Sequence, residues 1–126
     1  MNQKKLSGVA ALSDTERAEY FVRKVADFEE LWGGFENGWL QLEDKDNKKI
    51  IPFWPEEIFV QNYINENKVN ASPRRIEISH FLEKWIPGMT KDDVKVLIFP
   101  IKESQGVLVT PNELADQLKE ELEQYE

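Results

Sequence analysis

The sequence contains no cysteine and a single histidine, His80. Disulfide frameworks, thiolate zinc sites, cysteine nucleophiles and any centre built on two imidazoles are therefore excluded. Long apolar runs are also missing: none approaches the roughly 18 residues that a spanning helix needs, so no membrane association is expected. Positive charge is scarce. Lys plus Arg number 16 against 24 Asp plus Glu, leaving a formal charge of −8. A nucleic-acid binder normally shows a basic patch that releases counterions from phosphates. Here Lys45, Lys48 and Lys49 alternate with Asp44 and Asp46, and Arg74–Arg75 stand apart, so nucleic acid is not an expected partner. Lys4–Lys5 and the short apolar stretch after them imitate a secretion signal. Ser7 and Gly8 interrupt it, however, and no clear cleavage site follows. Residues 1–12 are accordingly expected to form a flexible N-terminal arm, and the chain to be cytoplasmic.

What the chain has is aromatic bulk: four Trp, seven Phe and three Tyr in 126 residues. Each aromatic removes roughly 150–250 Å² from water when buried. At this length about two-thirds of the unfolded surface is buried on folding, so no covalent staple is required. A single α+β domain is expected over residues 13–126.

Ser13 and Glu16 have capping-box spacing, and Ala18, Phe21, Val22, Val25 and Phe28 then recur at helical steps. A first helix is predicted from about Asp14 to Glu29, with Arg17, Arg23 and Lys24 on its solvated face. Asn37–Gly38 lies between two aromatic-rich runs, a strong hairpin signal because both turn positions need positive φ. With the run from Lys49 to Trp54 this predicts a three-strand meander, Pro52 marking an edge or a strand end. Pro55, Glu56 and Glu57 suit a helix start. A short strand follows at Arg74 to Ile78, then a helix capped by Ser79 and stopped by Pro87–Gly88. Val94 to Phe99 is a nearly continuous apolar run, as expected of a central strand. Val107–Val109 leads through a second capping box, Thr110 to Glu113, into a last helix with Leu114, Leu118, Leu122 and Tyr125 on its inner side. Strands and helices do not alternate one by one. The predicted fold is α+β, a mostly antiparallel sheet of five or six strands covered by about four helices.

The order of several short motifs resembles a known family. Leu31-Trp32-Gly33, Gly38-Trp39, and Ile51-Pro52-Phe53-Trp54-Pro55 before an acidic helix start are similar to the bacterial domain of unknown function 2750. The segment from Phe81-Leu82 through Trp85-Ile86 to Gly88 and the step Thr110 to Ala115 resemble later parts of the same pattern. The resemblance spans about Ser13 to Leu122. It implies no activity, cofactor or catalytic residue.

Histidine titrates near neutrality, and His80 is a candidate general base if Glu77 or Glu83 orients it; a first-turn surface residue is the plainer account. No nucleophile elbow, Ser-His-Asp pattern or glycine-rich phosphate loop supports catalysis. Gly33–Gly34 fits a bulge or a close backbone approach. The Asp44-Lys45-Asp46-Asn47 run starts like a calcium loop and then fails at Lys48–Lys49. No catalytic residue, metal site or cofactor is expected. Trp32 and Trp39 flank the predicted hairpin, with Trp54 and Trp85 as further indoles. On one face they would form an aromatic floor for a ligand or partner, with Arg74 and His80 beside it; core packing accounts for them as well. Residues 111–126 hold six carboxylates against Lys119 alone, so five of the eight excess negative charges sit on the last helix.

These features point to a non-catalytic binding or regulatory protein whose acidic helix steers a basic protein partner. The alternative is a small-molecule-binding protein or enzyme using a Trp-lined pocket with His80 or Glu57. The open sheet edges are compatible with a monomer or a homodimer.

Overall fold

The computed structural model describes residues 3–124. Helix α1 spans Gln3–Ala10 and α2 Asp14–Phe28, followed by β1 Glu30–Phe35, β2 Leu42–Glu43 and β3 Lys49–Phe53. Then come α3 Glu57–Asn67 and β4 Ser72–Glu77. A continuous helical stretch follows, made of α4 Ile78–His80, a π-helical turn Phe81–Trp85 and α5 Ile86–Lys91. Strands β5 Lys95–Ile98 and β6 Val107–Val109 precede α6 Pro111–Glu123. Among the described residues no helix is long and apolar enough to cross a membrane.

The fold is α+β, but the strands divide into a two-stranded sheet, β1–β4, and a four-stranded one ordered β2-β3-β5-β6. The expectation of one mostly antiparallel sheet is corrected on both counts. Strand β3 pairs with β5 in parallel, because α3, β4 and the helical stretch intervene and let the chain re-enter in the same direction. The meander is also replaced. Strand β1 takes β4 as its antiparallel partner over six residue pairs, Glu30↔Glu77 to Phe35↔Ser72. The Asn37–Gly38 turn does form, with Asn37 at φ 57°, but beyond the Phe35↔Trp39 bridge the chain leaves the ladder.

One backbone exchange joins the sheets. Trp32 N–H donates to the Trp54 carbonyl and Trp54 N–H returns the bond to Trp32, both at 2.9 Å. This also explains Pro52, which lies inside a central strand rather than at an edge. Backbone N–H groups alternate sides along a strand, so Pro52's missing donor shares the side from which Trp54 reaches β1. On that side β2 has already ended opposite Ile50, and no ladder bond is lost.

Alternation buries Ile51, Phe53, Val96, Ile98 and Val109 in a core shared with Phe21 and Val25 of α2 and Leu114 and Leu118 of α6. Leu42, Ile50, Leu97 and Leu108 line an open groove on the other side, where Leu108 is 45% exposed. The stretch expected as an arm carries α1, which buries Val9 and sets Leu6 against the core. Glu56 ties three helices together: Tyr20 Oη donates to it at 2.7 Å and Lys5 Nζ at 3.2 Å. Burial, with the Glu56 carboxylate beside it, pushes the Tyr20 phenol well above its ordinary range. Phe28, expected on the inner stripe, ends α2 at 51% exposure, and Tyr125 lies outside the described residues.

Arg17 departs furthest from expectation. Assigned by the helical wheel to the solvated face, it is fully buried. Its Nη1 donates to the Leu12 carbonyl at 2.8 Å and its Nη2 to Asp14 Oδ1 at 2.7 Å, while the guanidinium lies 5.9 Å from the Phe99 ring centre. Ser104 Oγ donates to the same Asp14 oxygen, so the 101–104 loop closes over the arginine. That loop continues to Gly106 at φ +87°, where a Cβ would collide with the Ile98 carbonyl.

Hydrogen bonding from Ser104, then from Arg17, holds the Asp14 carboxyl below its ordinary value of 3.8. A depressed folded-state pKa contributes stability that is present above the unfolded value and is lost as pH falls through the folded one. Replacing Asp14 with Asn should therefore flatten the decline in thermal stability below about pH 4, measured as melting temperature against pH.

Candidate functional site

The β1–β4 ribbon has two faces, and its alternation decides which tryptophans meet. Leu31, Gly33 and Phe35 share one face of β1, and the register puts Arg74 opposite Gly33 and Ile76 opposite Leu31. Because Gly33 has no side chain, the Trp39 ring lies directly on its backbone: a Cβ there would stand 3.1 Å from two ring carbons. Arg74 settles alongside, its guanidinium 4.1 Å from the Phe35 ring centre and 5.9 Å from that of Trp39.

Trp85 comes to this face from the helical stretch. Its ring meets Trp39 edge-to-face at 4.8 Å and Phe53 at 5.5 Å, and Phe53 in turn meets Phe81 at 5.2 Å. The π-helical turn sets this placement. Ile86 N–H bonds to the Phe81 carbonyl five residues back, and the widened turn accommodates Pro87, which has no N–H to offer. Pro87–Gly88 was expected to stop the helix and Ser79 to cap it. Instead Pro87 lies in the first turn of α5 and Ser79 lies within α4, behind an N-cap at Glu77 whose side chain makes no capping bond.

The result is a cleft of about 470 Å³ lined by Trp39, Arg74, Arg75, Ile76, Glu77, His80 and Trp85. A second groove of about 630 Å³ adjoins it, sharing His80 and Trp85 and carrying Lys48, Lys49, Lys84, Asp92 and Asp93. Of the six residues nominated from sequence, Trp39, Arg74, His80 and Trp85 are thus brought together. Trp54 is not: it is fully buried, its Nε1 donating to the Pro100 carbonyl at 2.8 Å. Trp32 is on the opposite ribbon face, its Nε1 donating to Glu30 at 3.0 Å. It cannot face Trp39 across a hairpin, because neighbouring β1 residues point to opposite sides and Trp39 is on the Gly33 side. Glu57 is exposed at the start of α3 and lines neither groove.

Hydrogen bonding separates the four indoles further. Trp39 and Trp85 donate to no described residue, and their Nε1 atoms are not sealed from solvent. The arginines divide in the same way. Arg75 is held by Glu30 at 2.5 Å and by Glu77 at 3.7 Å, whereas Arg74 makes no side-chain hydrogen bond or ion pair among the described residues. His80 is exposed, and no described side chain bonds to it, so neither Glu77 nor Glu83 orients its ring. Among the described residues no group of three acidic or imidazole side chains is placed to hold a metal ion. Sequence reasoning passed over Phe35, Lys49 and Lys84 as site residues. Only Phe35 left a signal, as the aromatic diagonal to Arg74 once β4 is known to be the partner strand.

Against known proteins, residues 18–118 match the family described as "Protein of unknown function (DUF2750)". The chain belongs to that family. The match runs from α2 into α6 and includes every strand and the whole cleft. No curated protein and no solved structure matches the chain.

Gly33 carries the site's assembly, since a methyl there must displace the Trp39 ring. Gly33→Ala is expected to change the near-ultraviolet circular dichroism of the coupled Trp39–Trp85 pair. It should cost about 1–3 kcal/mol of stability in urea unfolding.

Proposed function

We propose that this member of the family is a non-catalytic binding protein and that the Trp39–Trp85 cleft is its binding site. The supporting observation is the partition of hydrogen-bonding groups. Trp32, Trp54 and Arg75 are satisfied within the protein, while the two cleft indoles and Arg74 have donors that no described residue uses. Concave aromatic surface with a few convergent polar groups is the usual make-up of a ligand site. Aromatic packing and the stacked guanidinium hold these groups in place before anything binds, which reduces the ordering cost of association.

Acid–base catalysis at His80 has less support. A general base is helped by a partner that fixes its ring, and His80 has none among the described residues, while Glu57 lies outside the cleft. The acidic outer face of α6, where Glu113, Asp116, Glu120 and Glu123 are exposed, supports a subsidiary role in steering a basic partner.

The indole N–H resonances test the main reading directly. In a fragment screen followed by ¹H–¹⁵N spectra, binders should shift the Trp39 and Trp85 signals together and leave those of Trp32 and Trp54 in place. Binders that move only other signals would contradict it, as would a diverse fragment set that moves none.

A further inference from the structure

The charge around the cleft differs in sign from that of the chain. The two adjoining grooves are lined by five Lys or Arg side chains and three carboxylates, a local net of +2, in a chain whose formal charge is −8. The carboxylates are largely committed. Glu77 faces Arg75 at 3.7 Å, and Asp93 receives Lys48 Nζ at 2.9 Å. Three of the five cations, Arg74, Lys49 and Lys84, make no side-chain hydrogen bond or ion pair among the described residues. The unpaired groups of the aromatic wall, the two indole N–H groups and the Arg74 fork, are donors without exception. A wall of donors discriminates against neutral ligands that bring donors of their own, and it favours oxyanions.

Arg74 adds geometry to charge. Its guanidinium lies 4.1 Å from the Phe35 ring centre, and its planar fork matches a carboxylate or phosphate in a bidentate pair. Trp39 and Trp85 beside it offer ring surface within the same cleft. We propose that the cleft recognises a small planar aromatic oxyanion, the ring set against Trp39 and Trp85 and the anionic group on Arg74. This rests on the cleft being a binding site and specifies what occupies it. The shared chemistry is an aromatic ring bearing a carboxylate or a phosphate; which of the two is preferred is read from the experiment.

Titration of the full chain with benzoate, phenyl phosphate, benzamide and inorganic phosphate, followed through the Trp39 and Trp85 indole signals, decides it. At least one of the two aromatic anions should bind about tenfold or more tightly than benzamide, a free-energy difference of about 1.4 kcal/mol. Arg74→Gln should abolish that preference, so that the aromatic anion binds the variant no more tightly than benzamide does. Lys102→Gln, an exposed charge outside both grooves, should keep the preference. Benzamide binding as well as the anions would overturn the oxyanion assignment and leave the binding site standing. Inorganic phosphate binding as tightly as phenyl phosphate would overturn the requirement for a ring. If none of the four probes moves either indole, the assignment fails. Fragment binders of other chemistry that shift the same signals would then still uphold the cleft as a site.

Discussion

The structure depends on the pair of backbone hydrogen bonds exchanged by Trp32 and Trp54. Among the described residues it is the single rung between a two-stranded ribbon and a four-stranded sheet. It falls where the main strand emerges from the core and before the chain turns into α3. The Trp54 side chain reinforces the rung from inside, fully buried and bonded to the Pro100 carbonyl. An indole with its N–H satisfied and its ring packed combines a large apolar burial with orientation. Both matter here, because the rung fixes the angle at which the ribbon meets the sheet.

That angle positions the cleft. One wall comes from the ribbon, with Arg74 on β4, Phe35 on β1 and Trp39 folded back over Gly33. The other comes from the helical stretch that leaves β4 without a loop, through a π-helical turn that swings Trp85 inward. The walls are continuous in sequence at Glu77–Ile78, and Phe53, on the sheet, joins them by meeting Trp85 edge-to-face. Core packing and exposed surface are here the same aromatic chain. It runs from buried Phe81 and Phe53 through half-buried Trp85 and Trp39 to exposed Arg74. The tryptophans therefore divide by burial: Trp54 is core, Trp39 and Trp85 are half-buried and line the cleft, and Trp32 lies on the far side of the ribbon.

Local chemistry was legible in the sequence and long-range pairing was not. The Ser13–Glu16 capping box, the proline-led start of α6 and the buried strand around Val96 each follow from residues within one turn or one strand. The partner of β1 is another matter. Asn37–Gly38 makes the turn it signals, and the hairpin runs as far as Leu40, whose amide bonds to the Gly34 carbonyl, but no further rung follows. Further along the same edge Trp32 bonds Trp54 instead, while strand β4, nearly forty residues on, pairs along the opposite edge of β1. Arg17 was misplaced for a similar reason. Its position on the helical wheel is polar, and it is buried only because the distant loop at Ser104 folds over it. Trp39 and Trp85 were nominated from the sequence, but which indoles would meet was not legible, because a turn and a π-helix give periodicity nothing to say about direction.

Family membership extends over the elements that build the cleft, so the account stands or falls on the rung that holds the ribbon in place. Native-state hydrogen exchange at the Trp32 and Trp54 amides measures that rung directly. If the ribbon is an integral part of the fold, both amides exchange only through global opening, with the same protection as the β3–β5 ladder. Exchange of these two amides through a local opening, at markedly lower protection than Val96 and Ile98, would mean that the ribbon moves independently. The cleft would then not be a preformed site.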